Sequence, residues 1–307
     1  MRSENGEAET PRADRRQQVK TESIHQKQAG AEEGWELYMA KEQTGCAETR
    51  ASDSSHPADA VREEHPGCVE ARTEADGTAH RSVAIITARG GSRRIPHKNI
   101  REFAGHPILY YSVRAALESR VFDEVMVSTD SAQIREIAEQ CGAAVPFLRS
   151  DATAGDYATT DEVIAEVLRE YARRGKQFDR FCCIYPTAPF LTPERLRTAM
   201  TMLGEAESVL PVVRFSYPPQ RGFTVRNGEV VRWMPEFASA RSQDLEPVYH
   251  DAGQFYACRT EAFWRDETTD VRNMVPLILP EAEVQDIDTP EDWEAAEEKY
   301  RRLHPGT

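Results

Sequence analysis

Short apolar runs alternate with amphipathic stretches from about residue 82 to the end of the chain. The apolar runs have the length of buried strands, whereas the stretches between them repeat apolar residues at roughly 3.6-residue spacing. The runs predict strands at Val83–Ile86, Glu124–Ser128, Val145–Leu148, Phe181–Tyr185, Ser208–Val213 and Gln254–Cys258. The stretches predict helices at Pro107–Ser119, Ser131–Cys141, Thr160–Arg173, Thr192–Leu203 and from Thr289 onward. This alternation is typical of the α/β class with a doubly wound, mostly parallel sheet.

The segment from about 214 to 250 interrupts the alternation. Phe223–Arg226 and Glu229–Arg232 flank Asn227–Gly228, a dipeptide that favours a tight hairpin turn. We therefore expect a small β-containing insertion here. At the helix predicted from residue 160, either Thr160 or Asp161 could act as N-cap.

The first 80 residues differ in composition from the rest of the chain. They contain only five Leu, Ile, Val or Phe residues, but 17 acidic and 10 basic residues. Such a segment cannot bury enough apolar surface to offset the loss of chain entropy. We predict a disordered extension at 1–80 and a folded domain at 81–307. A wrongly chosen start codon is an alternative origin of the extension, which has no signal-peptide pattern.

Charge and cysteine content exclude several classes of function. The net charge of −14 argues against non-specific binding of nucleic acid. No apolar run is long enough to cross a membrane, so we expect a soluble protein without a membrane partner. The six cysteines show no metal-binding spacing, and the neighbours Cys182 and Cys183 would point to opposite faces of one strand. We expect reduced thiols and a cytoplasmic location.

The predicted fold indicates where a ligand would bind. In open α/β sheets, ligands lie beyond the carboxyl ends of the strands. Those ends lead into residues 89–99, 129–130, 149–150 and 186–189. We expect these loops to meet at one crevice. Asp130 could face a ligand there, although capping the following helix is the simpler role.

The loop after the first strand carries an unusual density of positive charge. The sequence from Ala84 to Asn99 reads AIITARGGSRRIPHKN, with two adjacent glycines among four cations. Glycines allow close approach of a backbone to a ligand, and clustered cations require an anion between them. The loop is neither a P-loop nor a dinucleotide-binding loop. A basic surface turn is the alternative, but the strand before it and the helix after it favour a polyphosphate site.

These residues resemble the nucleotide-binding signature of the CMP-sialic acid synthetase-like cytidylyltransferases. Four further segments look like later motifs of that family, in the family's order: VSTD at 127–130, FLR at 147–149, PTAP at 186–189 and DIDTPEDW at 286–293. The resemblance covers about residues 83–303. It implies a nucleotidyltransferase, Rossmann-like fold and transfer of CMP from CTP to a nine-carbon 2-keto sugar acid, with release of pyrophosphate.

Other segments indicate which branch of the family the chain resembles. FSYPPQR at 215–221, RSQDLEP at 241–247 and YHDAGQFY at 249–256 look like the branch that acts on pseudaminic acid. Sialate enzymes usually carry Gln before PTSP and Asn-Gly in place of residues 251–253. This chain has Tyr185 and Asp251–Ala252–Gly253 at those places. The resemblance therefore favours pseudaminic acid over sialic acid.

The resemblance also implies roles for the residues of the basic loop. The residues that would contact CTP are Ala88, Arg89, Gly90, Gly91, Ser92, Arg93, Lys98, Asn99 and Arg149. Arg89 and Lys98 would be catalytic, because they would stabilise charge on the α-phosphate and the leaving group. Arg94 could contact the ligand or form a surface ion pair. A surface ion pair is also the alternative role for Arg149.

Asp286 and Asp288 are the candidate metal ligands. Alternate residues of an extended chain point to the same side, so both carboxylates could meet one Mg²⁺ or other divalent cation. For Asp288 the alternative is capping of the following helix, where Pro290 suits the first turn. Asp286 is a candidate catalytic residue too, since either it or a metal-bound water could accept the proton of the sugar.

The resemblance places the sugar acid near the second group of motifs. An arginine suits the substrate carboxylate, and Arg241 stands at the family position, with Arg221 as a second candidate. The other candidate substrate-binding residues are Tyr185, Gln220, His250, Asp251 and Gln254, together with Tyr217. The insertion at 214–250 implies a homodimer contact, although Phe223, Trp233, Met234 and Phe237 could pack on their own domain.

Two other functions compete with CMP transfer to pseudaminic acid. The same fold could activate sialic, legionaminic or Kdo acid, because a fold does not select a substrate. A non-catalytic nucleotide-binding scaffold is the rival from another class. The presence of Arg89, Lys98, Asp286 and Asp288 together argues against that rival.

Overall fold

The computed structural model describes residues 72–73 and 79–305. These residues fall within one compact unit, 67–307. Most of the predicted disordered extension lies outside the described residues, so that prediction and its boundary at residue 80 stay predictions. Cys46 and Cys68 lie outside them as well.

Thirteen strands and seven α-helices are present among the described residues. The strands are β1 Arg72–Thr73, β2 Ala79–His80, β3 Ser82–Thr87, β4 Glu102–Phe103, β5 His106–Pro107, β6 Glu124–Ser128, β7 Arg180–Ile184, β8 Ser208–Arg214, β9 Phe223–Arg226, β10 Glu229–Arg232, β11 Tyr249–Asp251, β12 Phe255–Arg259 and β13 Met274–Leu279. The helices are α1 Ile108–Ser119, α2 Ala132–Gln140, α3 Asp151–Ala154, α4 Thr160–Arg173, α5 Pro193–Met202, α6 Thr260–Asp266 and α7 Pro290–Leu303.

Seven of the strands form one central sheet. β3 lies between β6 and β7 and is parallel to both, with Ile85 opposite Met126 on one side and Cys183 on the other. β12 is antiparallel to its two neighbours, β7 and β8. β11 extends this pairing along β8, whose other edge carries the parallel strand β13. The predicted α/β fold with a mostly parallel sheet is confirmed, with β11 and β12 as its antiparallel members.

The apolar alternation along the central strands explains why helices cover both faces. Side chains of one face, such as Ile85 and Phe181, join a fully buried cluster with α4 and α6 that includes Tyr171 and Phe263. Residues in between, such as Ile86, point to the opposite face and are also fully buried. The helices start at defined caps; for example, Thr159 and Glu162 form a capping box at α4.

A second buried cluster supports the loops that follow the sheet. It contains Ile95 of the basic loop, Ile287 of the DIDTPEDW segment and Trp293 of α7. Phe103 packs edge-on against Trp293, with 5.6 Å between ring centroids. Because both loops contribute to one apolar cluster, their polar residues are held at a fixed separation.

Two local predictions from the sequence are wrong. Val145–Leu148 does not form a strand, and that segment follows an isolated bridge between Met126 and Ala144. Pro146 has no N–H group to extend the pairing. The α4 cap is Thr159, rather than Thr160 or Asp161.

The insertion contains the predicted hairpin. β9 and β10 pair with Arg226 opposite Glu229. Asn227 and Gly228 connect them with φ of +53° and +83°, the left-handed backbone that a two-residue turn requires. The hairpin leaves Val225 73% and Val230 67% exposed. This apolar surface has no cover within its own described domain.

Two further observations concern sequence-based expectations. Within the described residues, no helix combines the length and the apolar character that crossing a membrane requires. The four described cysteines are free and buried: Cys141, Cys182, Cys183 and Cys258.

Candidate active site

The loops at the carboxyl ends of β3 and β7, together with Arg149 and the DIDTPEDW segment, surround one cleft of about 600 Å³. Its wall contains ten of the ligand-contact candidates singled out from the sequence. These are Arg89, Ser92, Arg93, Arg94, Lys98, Asn99, Arg149, Tyr185, Asp286 and Asp288. Pro186 and Thr187 of the PTAP segment line it too. Three of the four predicted loops, 89–99, 149–150 and 186–189, therefore contribute to one cleft, as expected for this class of sheet, whereas residues 129–130 do not line it.

The basic loop is held open by hydrogen bonds to its backbone. Asp130 accepts a hydrogen bond from the N–H of Gly90 at 2.8 Å. A Cβ on Gly90 would lie 3.2 Å from the Cβ of Ser131, so a larger residue would crowd this contact. The predicted capping role of Asp130 is wrong, because Ser131 caps α2 by accepting from Ile134 N–H. Asp130 instead shapes the loop.

Asn99 ties the two ends of the basic loop together. Its side chain is buried, and its Nδ2 donates to the carbonyl oxygen of Arg89 at 2.9 Å. Ala88, at the start of the loop, is fully buried and donates its N–H to Ser128 O at 3.0 Å. Ala88, Gly90 and Gly91 do not line the cleft; they set the path of the backbone that carries Arg89 and Ser92.

A carboxylate that the sequence analysis missed lies between two of the loop cations. Asp156, in the turn between α3 and α4, accepts a hydrogen bond from Arg89 and forms an ion pair with Arg93. The hydrogen bond from Arg89 and the charge of Arg93 hold the pKa of Asp156 below its usual range. The two arginines therefore converge closely enough to share one anionic group.

Arg149 differs from the other cations because it is buried. Its Nε donates to Ser128 Oγ at 3.1 Å and its Nη2 to Ser128 O at 2.8 Å. Burial lowers the pKa of Arg149 despite the charges of Asp130 and Glu166. Within the described part of the chain, no carboxylate lies within 4 Å of its guanidinium. The alternative of a surface ion pair is therefore wrong. The charge of Arg149 faces the cleft, and Arg149 itself has no acidic partner within ion-pair distance among the described residues.

Asp288 and Asp286 line the same cleft, on either side of the buried Ile287. Lys98 Nζ donates to Ile287 O at 2.5 Å and lies 3.3 Å from Asp288 Oδ1. Arg94 Nη2 lies 3.0 Å from Asp288 Oδ2, so Arg94 forms the ion pair that was one of its two predicted roles. The capping alternative for Asp288 is wrong, because Thr289 caps α7.

The chemistry of these two carboxylates fits a hard cation. Asp286 remains exposed, but partial loss of hydration, followed by the charge of Asp288, raises its pKa. A cation beside the pair would relieve both effects. Among the described residues, no cluster of three His, Cys, Asp or Glu side chains could enclose a metal. Two carboxylates alone would leave most positions of Mg²⁺ to water and substrate oxygens.

Tyr185 forms the end of a chain of hydrogen-bonded hydroxyl groups. Its OH donates to Tyr256 OH at 3.3 Å, and Tyr256 OH donates to Asp251 Oδ2 at 2.5 Å. The hydroxyl of Thr160, which also lines the cleft, lies 3.4 Å from Tyr185 OH. Burial is the main reason that the pKa of both tyrosines is raised. Asp251 is therefore linked to the cleft through Tyr256.

The remaining predicted sugar-side residues do not line the cleft. Gln254 is buried and donates to Glu283 O at 2.6 Å, while Gln220 is buried and donates to Glu246 O at 2.8 Å. Arg241 is exposed and pairs with Asp244 at 2.7 Å. His250 Nδ1 lies 2.8 Å from Asp251 O.

Two other candidates lie within the insertion. Arg221 donates to Ser242 Oγ at 2.9 Å. Tyr217 is 87% exposed. Neither side chain lines the cleft.

Several residues of the site carried only weak signals in the sequence. Thr160 and Asp130 stood in segments already assigned to helix starts. Tyr256 stood in the segment YHDAGQFY without a role of its own. Asp156 lies in a loop that follows α3, and only its position between the third predicted carboxyl end and the next helix would have indicated it.

The combination of sheet, basic loop and paired carboxylates defines a nucleotidyltransferase. Residues 83–269 match the family model described as Cytidylyltransferase, and the chain belongs to that family. It is 37% identical over 227 residues to the pseudaminic acid cytidylyltransferase of Campylobacter jejuni subsp. jejuni serotype O:2, a match that covers 73% of this chain and 98% of that protein. The predicted resemblance is confirmed.

Other relatives carry different sugar names. The chain is 35% identical over 233 residues to the CMP-N,N'-diacetyllegionaminic acid synthase of Legionella pneumophila, covering 73% of this chain and 97% of that protein. Among solved structures, CMP:2-keto-3-deoxy-manno-octonic acid synthetase complexed with CTP is similar, with a TM-score of 0.53 and 16% identity over 73% of this chain and 99% of that one. This likeness confirms the fold.

Proposed function

We propose that the protein transfers CMP from CTP to the anomeric hydroxyl of pseudaminic acid and releases pyrophosphate. The observation that carries the proposal is the buried Arg149, which has no acidic partner within 4 Å in the described chain and faces a cleft that also holds Arg89, Arg93 and Lys98. Such a cluster matches a polyphosphate. The identity of the sugar is supported by the relatives named for pseudaminic acid, at 36–37% identity.

On the nucleotide side, the protein supplies position and charge. Arg89 and Arg93 would exchange the Asp156 carboxylate for phosphate oxygens. Lys98, beside Asp288, would stabilise charge on the α-phosphate and the leaving pyrophosphate as the sugar hydroxyl attacks. Asn99 and Asp130 keep the loop in the shape that presents these groups. Preorganised cations of this kind stabilise the transition state without covalent catalysis.

A divalent cation is part of the proposal. Asp286, with Asp288 beside it, would hold Mg²⁺ together with triphosphate oxygens. When bound, the cation would neutralise charge on the phosphates. Asp286 is also the proposed acceptor for the proton of the attacking hydroxyl.

The proposal includes a homodimer in the cytoplasm. Val225 and Val230 of the hairpin and the neighbouring Trp233 expose more than half of their surface. Exposed apolar residues grouped on one element are typical of an interface. A dimeric mass at micromolar concentration is expected, and Val230→Asp should convert the dimer to monomers. A wild-type monomer at that concentration would contradict the dimer.

The test is pyrophosphate release from CTP and Mg²⁺ with pseudaminic, N,N'-diacetyllegionaminic, N-acetylneuraminic and Kdo acids in parallel. We expect turnover with pseudaminic acid well above the others. A preference for the legionaminic acid would retain the reaction and change the substrate. Folded protein that is silent with all four acids would favour the non-catalytic scaffold.

A pair of variants connects this reaction to the cleft. Arg89→Ala should lose most turnover while remaining folded. The side chain of Arg89 is partly exposed and pairs with Asp156, whereas its hydrogen bond to Asn99 uses the backbone carbonyl, which the substitution keeps. Arg135→Ala is the matched control: Arg135 is an exposed arginine paired with Glu139 on α2. Kinetics of Arg89→Ala that equal those of the control would refute the assignment.

A further inference from the structure

Asp251 determines the direction of donation in the row of hydrogen bonds that links Tyr185, Tyr256 and Asp251. An ionised carboxylate only accepts hydrogen bonds, so the Tyr256 hydroxyl must donate to Asp251. The oxygen of Tyr256 is then free to accept, and it receives the hydroxyl proton of Tyr185. The single O–H of Tyr185 is thereby directed away from the cleft. Its raised pKa keeps that proton in place at neutral pH.

The other neighbour of Tyr185 agrees with this direction. Thr160 Oγ1 and Tyr185 OH are 3.4 Å apart, and geometry alone allows either to donate. With the Tyr185 proton committed to Tyr256, Thr160 must be the donor. The Tyr185 oxygen therefore meets the cleft only as a hydrogen-bond acceptor.

We propose that Tyr256 and Asp251 are positioning residues that hold the Tyr185 oxygen as an acceptor and thereby select a sugar acid that presents an N–H or O–H group to it. The inference rests on the proposed function, since it assigns part of the sugar specificity of the same cleft. A nonulosonic acid with hydroxyl and acylamino substituents carries donors of this type. A substrate that offers only an acceptor atom there would bring its lone pair against the lone pair of the Tyr185 oxygen, with no proton between them.

Asp251→Asn is the most informative variant because it can reverse the direction of the hydrogen bonds from Tyr185 to residue 251 without removing any of them. Asp251 Oδ1 accepts from Gly253 N–H at 2.7 Å, which fixes the carbonyl oxygen of an asparagine at that place. The amide NH₂ would then face Tyr256 and donate to it. Tyr256 would donate to Tyr185, and the Tyr185 proton would turn toward Thr160 or the cleft. The number of hydrogen bonds is kept while their direction changes.

The experiment measures KM for pseudaminic acid and for CTP, together with kcat, in wild type, Asp251→Asn, Tyr256→Phe, Tyr185→Phe and the double phenylalanine variant. We expect Asp251→Asn and Tyr185→Phe to raise the KM of the sugar acid about tenfold, and Tyr256→Phe roughly three- to tenfold, as for loss of one oriented hydrogen bond. The KM of CTP should stay within about twofold. Adding Tyr256→Phe to Tyr185→Phe should have no further effect on the sugar KM.

Tyr171→Phe is the matched control for stability. Tyr171 also donates its hydroxyl to a carboxylate, Glu124 Oε1, at 2.6 Å, but its ring is buried between α4 and the sheet. Its kinetics should equal those of wild type, and thermal unfolding of every variant shows whether the fold is kept. The inference is overturned if Asp251→Asn leaves the sugar KM unchanged, if sugar and CTP KM rise together, or if the two phenylalanine effects add. A wild type without turnover on any sugar acid would instead refute the proposed function.

Discussion

Replacement of Arg149 by Met should separate ligand binding from folding. Methionine has a similar length and fills the same buried space without charge. The change removes two hydrogen bonds to Ser128. Ser128 O keeps the N–H of Ala88 at 3.0 Å, so only Ser128 Oγ loses a partner. Hydrogen bonds from a charged donor contribute about 1.5–3 kcal/mol each.

The opposing effect is the burial of an uncompensated charge, which costs several kcal/mol after relaxation. These two effects nearly cancel, so we expect the free energy of unfolding of ligand-free Arg149→Met to lie within about 2 kcal/mol of wild type. CTP at 100 times its Kd should stabilise the wild type by about 2.7 kcal/mol. For a domain of this size, that corresponds to a rise in Tm of about 5–11 °C.

In Arg149→Met the same CTP concentration should stabilise by less than about 1 kcal/mol, because loss of a buried charged contact weakens binding by 2–5 kcal/mol, roughly 30-fold or more. Denaturant unfolding without ligand and thermal unfolding with and without CTP measure the two quantities. Arg135→Met is the exposed control. Loss of more than about 4 kcal/mol without ligand, combined with a normal response to CTP, would show that Arg149 is structural and would refute the argument.

Three other changes test the supports of the cleft. Asn99→Ala leaves the Arg89 carbonyl without its buried donor, so the free energy of unfolding measured with denaturant should fall by about 1–3 kcal/mol. The KM for CTP should rise as well. An unchanged KM would contradict the role of Asn99 in the shape of the loop. Asp156→Asn removes the anion that competes for Arg89 and should lower the Kd of CTP about three- to tenfold by calorimetry, whereas a higher Kd would mean that the carboxylate aids binding. Backbone N–H groups hold the pKa of Asp292 below its usual range. Its stabilisation is therefore complete above about pH 5 and is lost as the pH falls through the lowered folded-state pKa. The Tm deficit of Asp292→Asn, about 1–3 °C at pH 7, should therefore disappear at low pH; a deficit that persists there would contradict the linkage.

The apolar pattern predicted the central fold because the sheet is buried on both faces. Strands such as Ser82–Thr87 and Arg180–Ile184 have nearly continuous apolar runs. Such runs are typical of strands that are covered on both faces. The failure at Val145–Leu148 has a physical cause: a strand needs a partner with free N–H and C=O groups, and Pro146 cannot donate. The choice of Thr159 over its two neighbours as cap depends on backbone angles that composition does not determine.

The candidate site was predictable where one segment carries the chemistry. Arg89, Lys98 and Asp286 stand in dense local motifs, and the strand order brings those motifs to one edge. Contacts between distant segments were not predictable. Asp156 meets Arg89 across 67 positions of sequence. Their pairing depends on how α3 is held against α4, where Thr153 donates to Glu166.

The reversed direction of β12 brings a late segment of the chain to the edge of the sheet where the early loops lie. Parallel strands carry the proposed nucleotide residues and Tyr185 at their carboxyl ends, whereas the antiparallel β12 reaches the same edge with its amino end, next to Asp251 at the end of β11. The proposed sugar side can thus accumulate substitutions in one late segment while the early basic loop stays intact. Duplicated genes of such an architecture can diverge toward new acceptor sugars by changing a few residues near 251–256, with the nucleotide chemistry inherited unaltered.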